Sequence, residues 1–222
     1  MHYLKCESSA PESVDGRILK AALGLFVKSG YHNVSVHDIQ RAADVSIGSI
    51  YNHFGGKEGI AKALYFHLLN EMQGMVDGVL VETESARERC NRIIELLFEY
   101  TETRRDIIAF VLHQRHQEFL PGEPPICSAA PFRAMREVIQ QGMDNGEIRR
   151  RDPWVAASAV FGSAIRMIHL RLDEVVNEPL PRYLDEILAG TWQGMEPDAA
   201  SSPKKRKPMD LPGQSGVVVS DR

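Results

Sequence analysis

Apolar residues recur at intervals of three and four along almost the whole chain, and this is the spacing of a buried helix face. The first helix shows the spacing clearly, with apolar side chains at Ile18, Ala21, Ala22, Leu25 and Phe26. Gly30 follows, at the place where a helix commonly ends in glycine. No segment has the strand-type alternation of apolar and polar residues flanked by hairpin turns. The pattern therefore predicts an all-α fold.

Longer amphipathic segments continue the helical pattern to residue 193. They lie at about 57–81, 85–101, 104–119, 132–144, 153–173 and 180–193. Three prolines, Pro121, Pro124 and Pro125, predict a loop after the third of these segments. The two ends of the chain lack any period, so we expect disorder at 1–12 and at 197–222. The second of these ends contains the basic run Lys204–Lys207, which we interpret as a solvated basic arm.

The composition limits the classes of protein that the chain belongs to. Of its 222 residues, 43% are hydrophobic, which is enough to bury a core and excludes a mostly disordered chain. The longest apolar stretches, such as 156–165, are broken by Ser and Gly and fall short of the about 18 residues of a membrane span, so no membrane partner is expected. Three cysteines without motif spacing, and no apolar leader, favour a reducing cytoplasm.

The net charge of −4 is unevenly distributed. Residues 13–60 carry five basic and four acidic side chains, whereas residues 61–196 carry 15 basic and 21 acidic ones. An acidic body repels nucleic acid, so any DNA contact has to use the N-terminal segment or the tail.

Two short helices are predicted after Gly30. Ser35 and Asp38 approximate a capping box at the start of a helix over about 36–43, and Ser46 is placed to cap another over about 47–53. Three helices in about 40 residues, with a short turn between the second and third, indicate a helix-turn-helix. This pattern alone also occurs in helical enzymes.

The third helix carries side chains suited to a major groove. Gly48 allows close approach to a DNA backbone or base edge, while Ser49 or Asn52 is able to read a base edge. Tyr51 and His53 are able to donate hydrogen bonds to phosphates. The remaining candidates are Ile47, for a thymine methyl group, and Lys57, for the phosphate backbone.

The string V-S-I-G-S-I-Y-N-H-F-G-G-K-E at 45–58, preceded by F-V-K-S-G-Y at 26–31, closely resembles the signature of the TetR family of bacterial repressors. The resemblance covers about 13–60. It implies phosphate contacts from Tyr51, His53 and Lys57. It also implies a base-facing set made of His37, Ser46, Ile47, Gly48, Ser49 and Asn52. The remaining side chains of this segment that we place in the core are Tyr31, Ile39, Ala42 and Phe54.

The resemblance further implies a helix-turn-helix domain at 13–60 and a helical effector-binding and dimerisation domain at 61–196. A homodimer would form through 153–173, which is rich in small residues, and 180–193. The implied function is that of a ligand-responsive repressor in a bacterial cytoplasm, associated with the nucleoid. It would bind a palindromic operator and be released by a small apolar or amphipathic effector.

Candidate pocket residues lie in the middle helices of the second domain. They are Phe98, Phe110, His113, His116, Met135, Phe161 and His169. The spacing of His113 and His116 also fits one helix face, so an alternative is an all-α enzyme that uses these two histidines as metal ligands, with His169 as a third. Another alternative is a DNA-binding activator. The preferred interpretation needs no cofactor, no metal and no catalytic residue.

Overall fold

The computed structural model describes residues 13–197, and every regular element in that range is helical. The N-terminal helices are α1 (Val14–Ser29), α2 (Val36–Ala43) and α3 (Ile47–Phe54), with a 3₁₀ turn at Tyr31–Asn33. The other helices are α4 (Lys57–Glu82), α5 (Ala86–Thr103), α6 (Arg105–Ile108), α7 (Ala130–Asp144), α8 (Pro153–Leu172) and α9 (Leu184–Met195). The predicted all-α fold is confirmed. Residues 1–12 and 198–222, where we predict disorder and a basic arm, lie outside the described residues.

Polar side chains cap the helices at the positions that the sequence indicates. The Ser35 side chain accepts from the Asp38 backbone N–H and the Asp38 carboxylate accepts from the Ser35 N–H, so the capping box is complete. The Ser46 hydroxyl accepts from the Ser49 N–H. Each cap of this kind stabilises its helix by about 1 kcal/mol. The predicted bounds of α2 and α3 therefore hold to within one residue.

A single hydrophobic core runs through the described helices, from Ile18 in α1 to Met195 in α9. Helix α4 contributes to both parts of it, through Ile60 near its start and Met72 near its middle, and both side chains are buried. The boundary predicted between residues 60 and 61 thus falls inside one continuous helix. The division into two domains stays a prediction.

The start of α4 lies very close to the end of α3. A Cβ atom added to Gly59 would lie 1.7 Å from the Phe54 carbonyl oxygen, so only glycine fits there without a shift of the backbone. Gly55 and Gly56, which connect the two helices, have φ angles of 73° and 126°, in the region that favours glycine. These glycines fix how α3 projects from the rest of the chain.

The predicted helix over 104–119 is wrong in its second half. The helix begins at Arg105, continues as a π-type turn at Ala109–His113 and ends at Gln114, whose backbone is extended. His113, Gln114 and Arg115 are consecutive polar residues that give a helix no apolar side chain to bury. A separate 3₁₀ turn (His116–Glu118) then returns the chain to the core. Similarly, the segment predicted at 180–193 opens with a 3₁₀ turn (Leu180–Tyr183) before α9.

Helix α8 differs from the expectation that no segment approaches a membrane span. An 18-residue window within its 20 residues has a mean hydropathy of 1.3, and only 28% of that window is buried inside the chain. By length and composition alone, this helix is able to cross a membrane. A helix of a soluble protein passes the same test when its apolar side is covered.

Candidate nucleic-acid interface

Helix α3 buries a single side chain and exposes most of the others. Ile50 is fully buried, whereas Ile47 and Tyr51 are 37% and 55% exposed. Gly48, Asn52 and His53 are exposed as well, so the side chains that the sequence selects for base and phosphate contact share an open surface. His37, at the start of α2, is also exposed. The helix contains no acidic residue.

One side chain of α1 and one of α2 hold the turn between α2 and α3. Asp44 adopts a left-handed conformation with φ of 51°, and its carbonyl oxygen accepts a hydrogen bond of 3.2 Å from Arg17 Nη1 on α1. The Gln40 amide donates to the Val45 carbonyl oxygen at 3.0 Å. These contacts fix the angle between the two helices without using any side chain on the open surface of α3.

Four polar groups on α3 and at its N-cap differ in whether they already have a hydrogen-bond partner. Within residues 13–197 the structure gives the Tyr51 hydroxyl and the Asn52 amide no hydrogen-bond partner. The Ser46 and Ser49 hydroxyls lie 2.8 Å apart and bond to each other. The Ser46 hydroxyl also accepts from the Ser49 N–H, so it keeps one hydrogen-bonding position for a further contact, whereas the Ser49 hydroxyl keeps two.

Lys57 was predicted to contact the phosphate backbone of DNA, but its ammonium is already engaged within the chain. Its Nζ donates to the carbonyl oxygens of Tyr31 and Val34, at 3.0 and 2.8 Å, and lies 4.2 Å from the centre of the Tyr31 ring. Partial burial lowers the pKa of the Lys57 ammonium from its usual value. The ammonium therefore links α4 to the turn after α1, and one of its three N–H groups remains for an outside acceptor.

The core positions expected in this segment are largely as predicted. Ile39 is fully buried, and Tyr31 and Phe54 pack against the core while partly exposed. Ala42 is the exception, because it lies on the exposed side of α2. Helix α2 is short and its buried side is narrow, formed by Ile39 and Ala43.

The predicted pocket residues differ in how deeply they are buried. Their four apolar members are buried in the core with exposed fractions of at most 4%, and they are Phe98, Phe110, Met135 and Phe161. The His113 and His169 rings lie 5.8 Å apart, with His169 Nε2 2.9 Å from the Leu112 carbonyl oxygen and His113 Nε2 3.5 Å from Asp173 Oδ1.

His116 is separate from the other two histidines and deeply buried. It is 6% exposed and lies among the rings of Tyr65, Phe110 and Phe119, at 5.2, 5.1 and 5.7 Å. Burial lowers the pKa of His116 to about 4. Its Nε2 has no hydrogen-bond partner. His113 and His116 thus do not share a helix face, and in residues 13–197 no three His, Cys, Asp or Glu side chains are grouped to hold a metal ion.

A groove of about 510 Å³ lies between α8, α9 and the 3₁₀ turn before α9. Its lining combines small, apolar and polar side chains: Ala159, Ser163, Met167, Tyr183, Glu186, Ile187, Gly190 and Thr191. The sequence pointed to α8 through its small residues and to 180–193 as its partner in the expected dimer interface. It gave no signal for Tyr183, which the 3₁₀ turn brings to the groove.

A ring stack connects the N-terminal helices to the segment after α6. The Tyr31 and Phe119 rings are nearly parallel, with centroids 4.5 Å apart. Phe119 also contacts His116 and Phe110. Nothing in the local sequence around Phe119 indicates that its ring partner lies in the N-terminal segment.

An exposed third helix on a three-helix support defines a helix-turn-helix protein of the DNA-binding class. Residues 18–64 match the family model described as bacterial regulatory proteins, tetR family. Over this segment the chain is therefore similar to the TetR family of bacterial regulators. Its relatives are transcriptional regulators and not enzymes.

Three comparisons extend over most of the chain. The chain is 29% identical over 193 residues to the uncharacterized HTH-type transcriptional regulator YvkB of Bacillus subtilis, an alignment that covers 82% of this chain and 97% of YvkB. The fold is similar to that of FadR from Bacillus subtilis, solved in complex with stearoyl-CoA, with a TM-score of 0.67 at 22% identity over 80% of this chain and 97% of that one. It is also similar to the fatty acid degradation regulator FadR from Bacillus halodurans, with a TM-score of 0.69 at 19% identity over 85% and 98% of the two chains.

Proposed function

We propose that this protein is a homodimeric, ligand-responsive repressor that binds a palindromic operator through α3 and leaves it when a small apolar or amphipathic effector binds. The observation that carries this proposal is the open polar surface of α3, held rigidly by the contacts of Arg17, Gln40 and Ile50. A regulator with this arrangement acts in the bacterial cytoplasm, at the nucleoid.

The DNA contacts divide into two kinds. Tyr51, His53 and the remaining N–H of Lys57 would bind phosphates, which position the helix without reading sequence. The base-facing set would read the groove, and its members are His37, Ser46, Ile47, Gly48, Ser49 and Asn52. Ile47 is 37% exposed, which suits contact with a thymine methyl group.

A second copy of the chain would cover α8 and α9. The apolar helix α8 is mostly unburied within one chain, and the groove beside it is lined by the small residues Ala159 and Gly190. Small residues let helices from another chain approach closely, as in a four-helix interface. In such a dimer the two α3 helices would lie about 34–36 Å apart, one helical turn of DNA.

The effector would bind in the helical body, whose core is formed mainly by α4, α5, α7 and α8. The similarity to a FadR chain solved with stearoyl-CoA supports a long-chain acyl thioester as the first compound to test. Binding would release DNA only if the effector prefers the conformation in which the two α3 helices no longer fit successive grooves. The Tyr31–Phe119 stack supplies a physical link between the effector-binding body and α1–α3.

The proposed surface is tested with a mixed-sequence duplex and the full chain. We expect Tyr51→Ala to weaken binding about tenfold by anisotropy at low salt, because a phosphate contact is lost whatever the sequence. Phe66→Ala is the matched control, since Phe66 is an exposed aromatic residue of α4 outside the proposed surface. Equal binding by the wild type and Tyr51→Ala would contradict the proposal.

The proposed dimer is tested by sedimentation. Ala159→Arg places a long charged side chain in the groove between α8 and α9, and we expect it to give monomers at concentrations where the wild type is dimeric. Gln73→Arg, on α4, is the control. A wild type that sediments as a monomer, or an Ala159→Arg variant that stays dimeric, would contradict the assigned interface.

A further inference from the structure

Helices α8 and α9 carry charges of opposite sign. Helix α8 has basic side chains and no acidic one, whereas α9 has Asp185 and Glu186 in its first turn and no basic side chain. The two helices pack against each other and line one groove. Surfaces of opposite charge are complementary, so the α8 of one copy suits the α9 of another.

The two arginines of α8 differ in whether they already have a partner. Arg171 donates to the Glu102 carboxylate through two of its nitrogens, at 3.0 and 2.9 Å. Arg166 is exposed, and within residues 13–197 its guanidinium makes no hydrogen bond and no ion pair. All five N–H groups of Arg166 are therefore left for an acceptor outside the described chain.

The groove between α8 and α9 contains acceptors without partners. Glu186 is exposed and Tyr183 is partly exposed, and both line the groove of about 510 Å³. In the part of the chain that the structure describes, neither the Glu186 carboxylate nor the Tyr183 hydroxyl has a hydrogen-bond partner. Ala159, Ser163 and Met167, each four residues after the one before, form the α8 side of the groove. This lining suits an arginine, whose stem is apolar and whose guanidinium pairs with a carboxylate.

The small residues of α8 mark where a second copy is able to approach most closely. A Cβ added to Gly162 would meet nothing within 4 Å, and Ser163 beside it is exposed. A symmetric contact between two copies of α8 has its closest point on the two-fold axis. Arg166 follows Ser163 by three residues, about 4.5 Å along the helix, whereas the groove extends about 6 Å to either side of Ser163. An axis near Ser163 therefore brings Arg166 of the partner subunit alongside the groove.

We propose that Arg166 of the partner subunit enters the groove between α8 and α9 and donates hydrogen bonds to the Glu186 carboxylate. The inference rests on the proposed dimer through α8 and α9. Two-fold symmetry forms the pair twice, once in each groove. The pair selects the partner and its register, because a misaligned copy leaves both arginines and both glutamates without a partner.

Charge reversal distinguishes a pair between chains from a pair within one chain. In a dimer of the Arg166→Glu variant each groove would hold two carboxylates, and in a dimer of Glu186→Arg each would hold two guanidinium groups. A dimer with one chain of each variant again has one arginine and one glutamate in both grooves. Mixing the variants therefore restores a pair formed between chains, but it does not restore a pair formed within a chain.

Sedimentation velocity of the full chain over a range of concentrations measures the dimer. We expect each single variant to dimerise about 100-fold more weakly than the wild type, about tenfold for each of the two pairs, with an unchanged circular dichroism spectrum. An equimolar mixture of the two variants should sediment as a dimer at concentrations where each alone is monomeric, and so should the chain that carries both substitutions. Lys28→Glu, at an exposed position of α1, makes the same change of charge and should dimerise like the wild type.

Three results would overturn the proposal. A mixture of folded single variants that stays monomeric shows that Arg166 and Glu186 do not pair between chains. Single variants that dimerise as tightly as Lys28→Glu show the same, and they leave the groove to a small molecule while the dimer itself stands. If the wild type is monomeric at every concentration, the proposed dimer fails together with the inference.

Discussion

The ring of Tyr31 is stacked on the ring of Phe119, with centroids 4.5 Å apart and planes 17° from parallel. Tyr31 belongs to the turn between α1 and α2, whereas Phe119 follows α6 and is 8% exposed. The Lys57 ammonium lies on the Tyr31 ring, so three elements meet at one aromatic side chain. This contact joins the helix-turn-helix to the helical body.

The stack should contribute measurably to stability. In a double-mutant cycle with Tyr31→Leu and Phe119→Leu, we expect a coupling of about 1 kcal/mol in the free energy of unfolding, because leucine keeps apolar contact but loses the ring–ring interaction. Urea denaturation of the four chains measures it. Strictly additive effects of the two substitutions would show that the two rings do not stabilise each other.

Gly59 should tolerate no side chain. We expect Gly59→Ala to lower the free energy of unfolding by about 3 kcal/mol or more, at the upper end of what overpacking costs, because its Cβ would lie 1.7 Å from the Phe54 carbonyl oxygen. Gly78→Ala, in the same helix with open space around the added Cβ, is the control and should stabilise the chain by up to about 1 kcal/mol. Equal stabilities of the two variants in urea denaturation would contradict the close approach of Gly59 to the Phe54 carbonyl oxygen.

Acid should weaken the fold through His116. Its pKa is lowered from 6.5 to about 4 by burial, so below pH 6.5 the unfolded chain binds a proton that the folded chain does not. Stability is therefore lost as pH falls from 6.5 towards 4, by up to about 3 kcal/mol from this residue. His116→Phe, which suits the surrounding rings, should flatten the stability profile between pH 6.5 and 4.5 relative to the wild type. If the stability of His116→Phe falls as steeply with pH as that of the wild type, other titratable groups cause the loss of stability.

Substitution of Gly48 should affect DNA binding without affecting folding. A Cβ at this position would have only the Ser46 hydroxyl nearby, at 3.7 Å, so Gly48→Ala should be stable or gain up to about 1 kcal/mol. If α3 approaches DNA closely at this point, the same variant should bind its operator at least about tenfold more weakly. Melting and anisotropy measure the two effects. A variant that is stable and binds normally would remove Gly48 from the interface.

The sequence is most informative where structure depends on neighbours in the chain. Ser35, Asp38 and Ser46 cap helices through residues three positions away, so their roles follow from spacing alone. The exposed side of α3 follows in the same way from its short length and the single buried Ile50.

The sequence is least informative where a contact joins distant segments. The end of α6 depends on the burial of His116 and Phe119 against α4 and Tyr31, and the helical period of 104–119 carries no sign of it. The close approach of His53 on α3 to Asp15 on α1 likewise requires the crossing of these two helices. The sequence placed Lys57 in contact with phosphate but gave no indication that two carbonyl oxygens engage its ammonium.

The most direct test of the central claim is selection of bound duplexes from a random-sequence DNA pool by the full chain. It is run at about 0.15 M salt, where binding to phosphates alone is weakened. We predict enrichment of a palindrome whose half-sites are centred one helical turn apart, as two α3 helices in a dimer require. A pool that shows no enriched sequence, or one without two-fold symmetry, would contradict a dimeric regulator that reads DNA through α3.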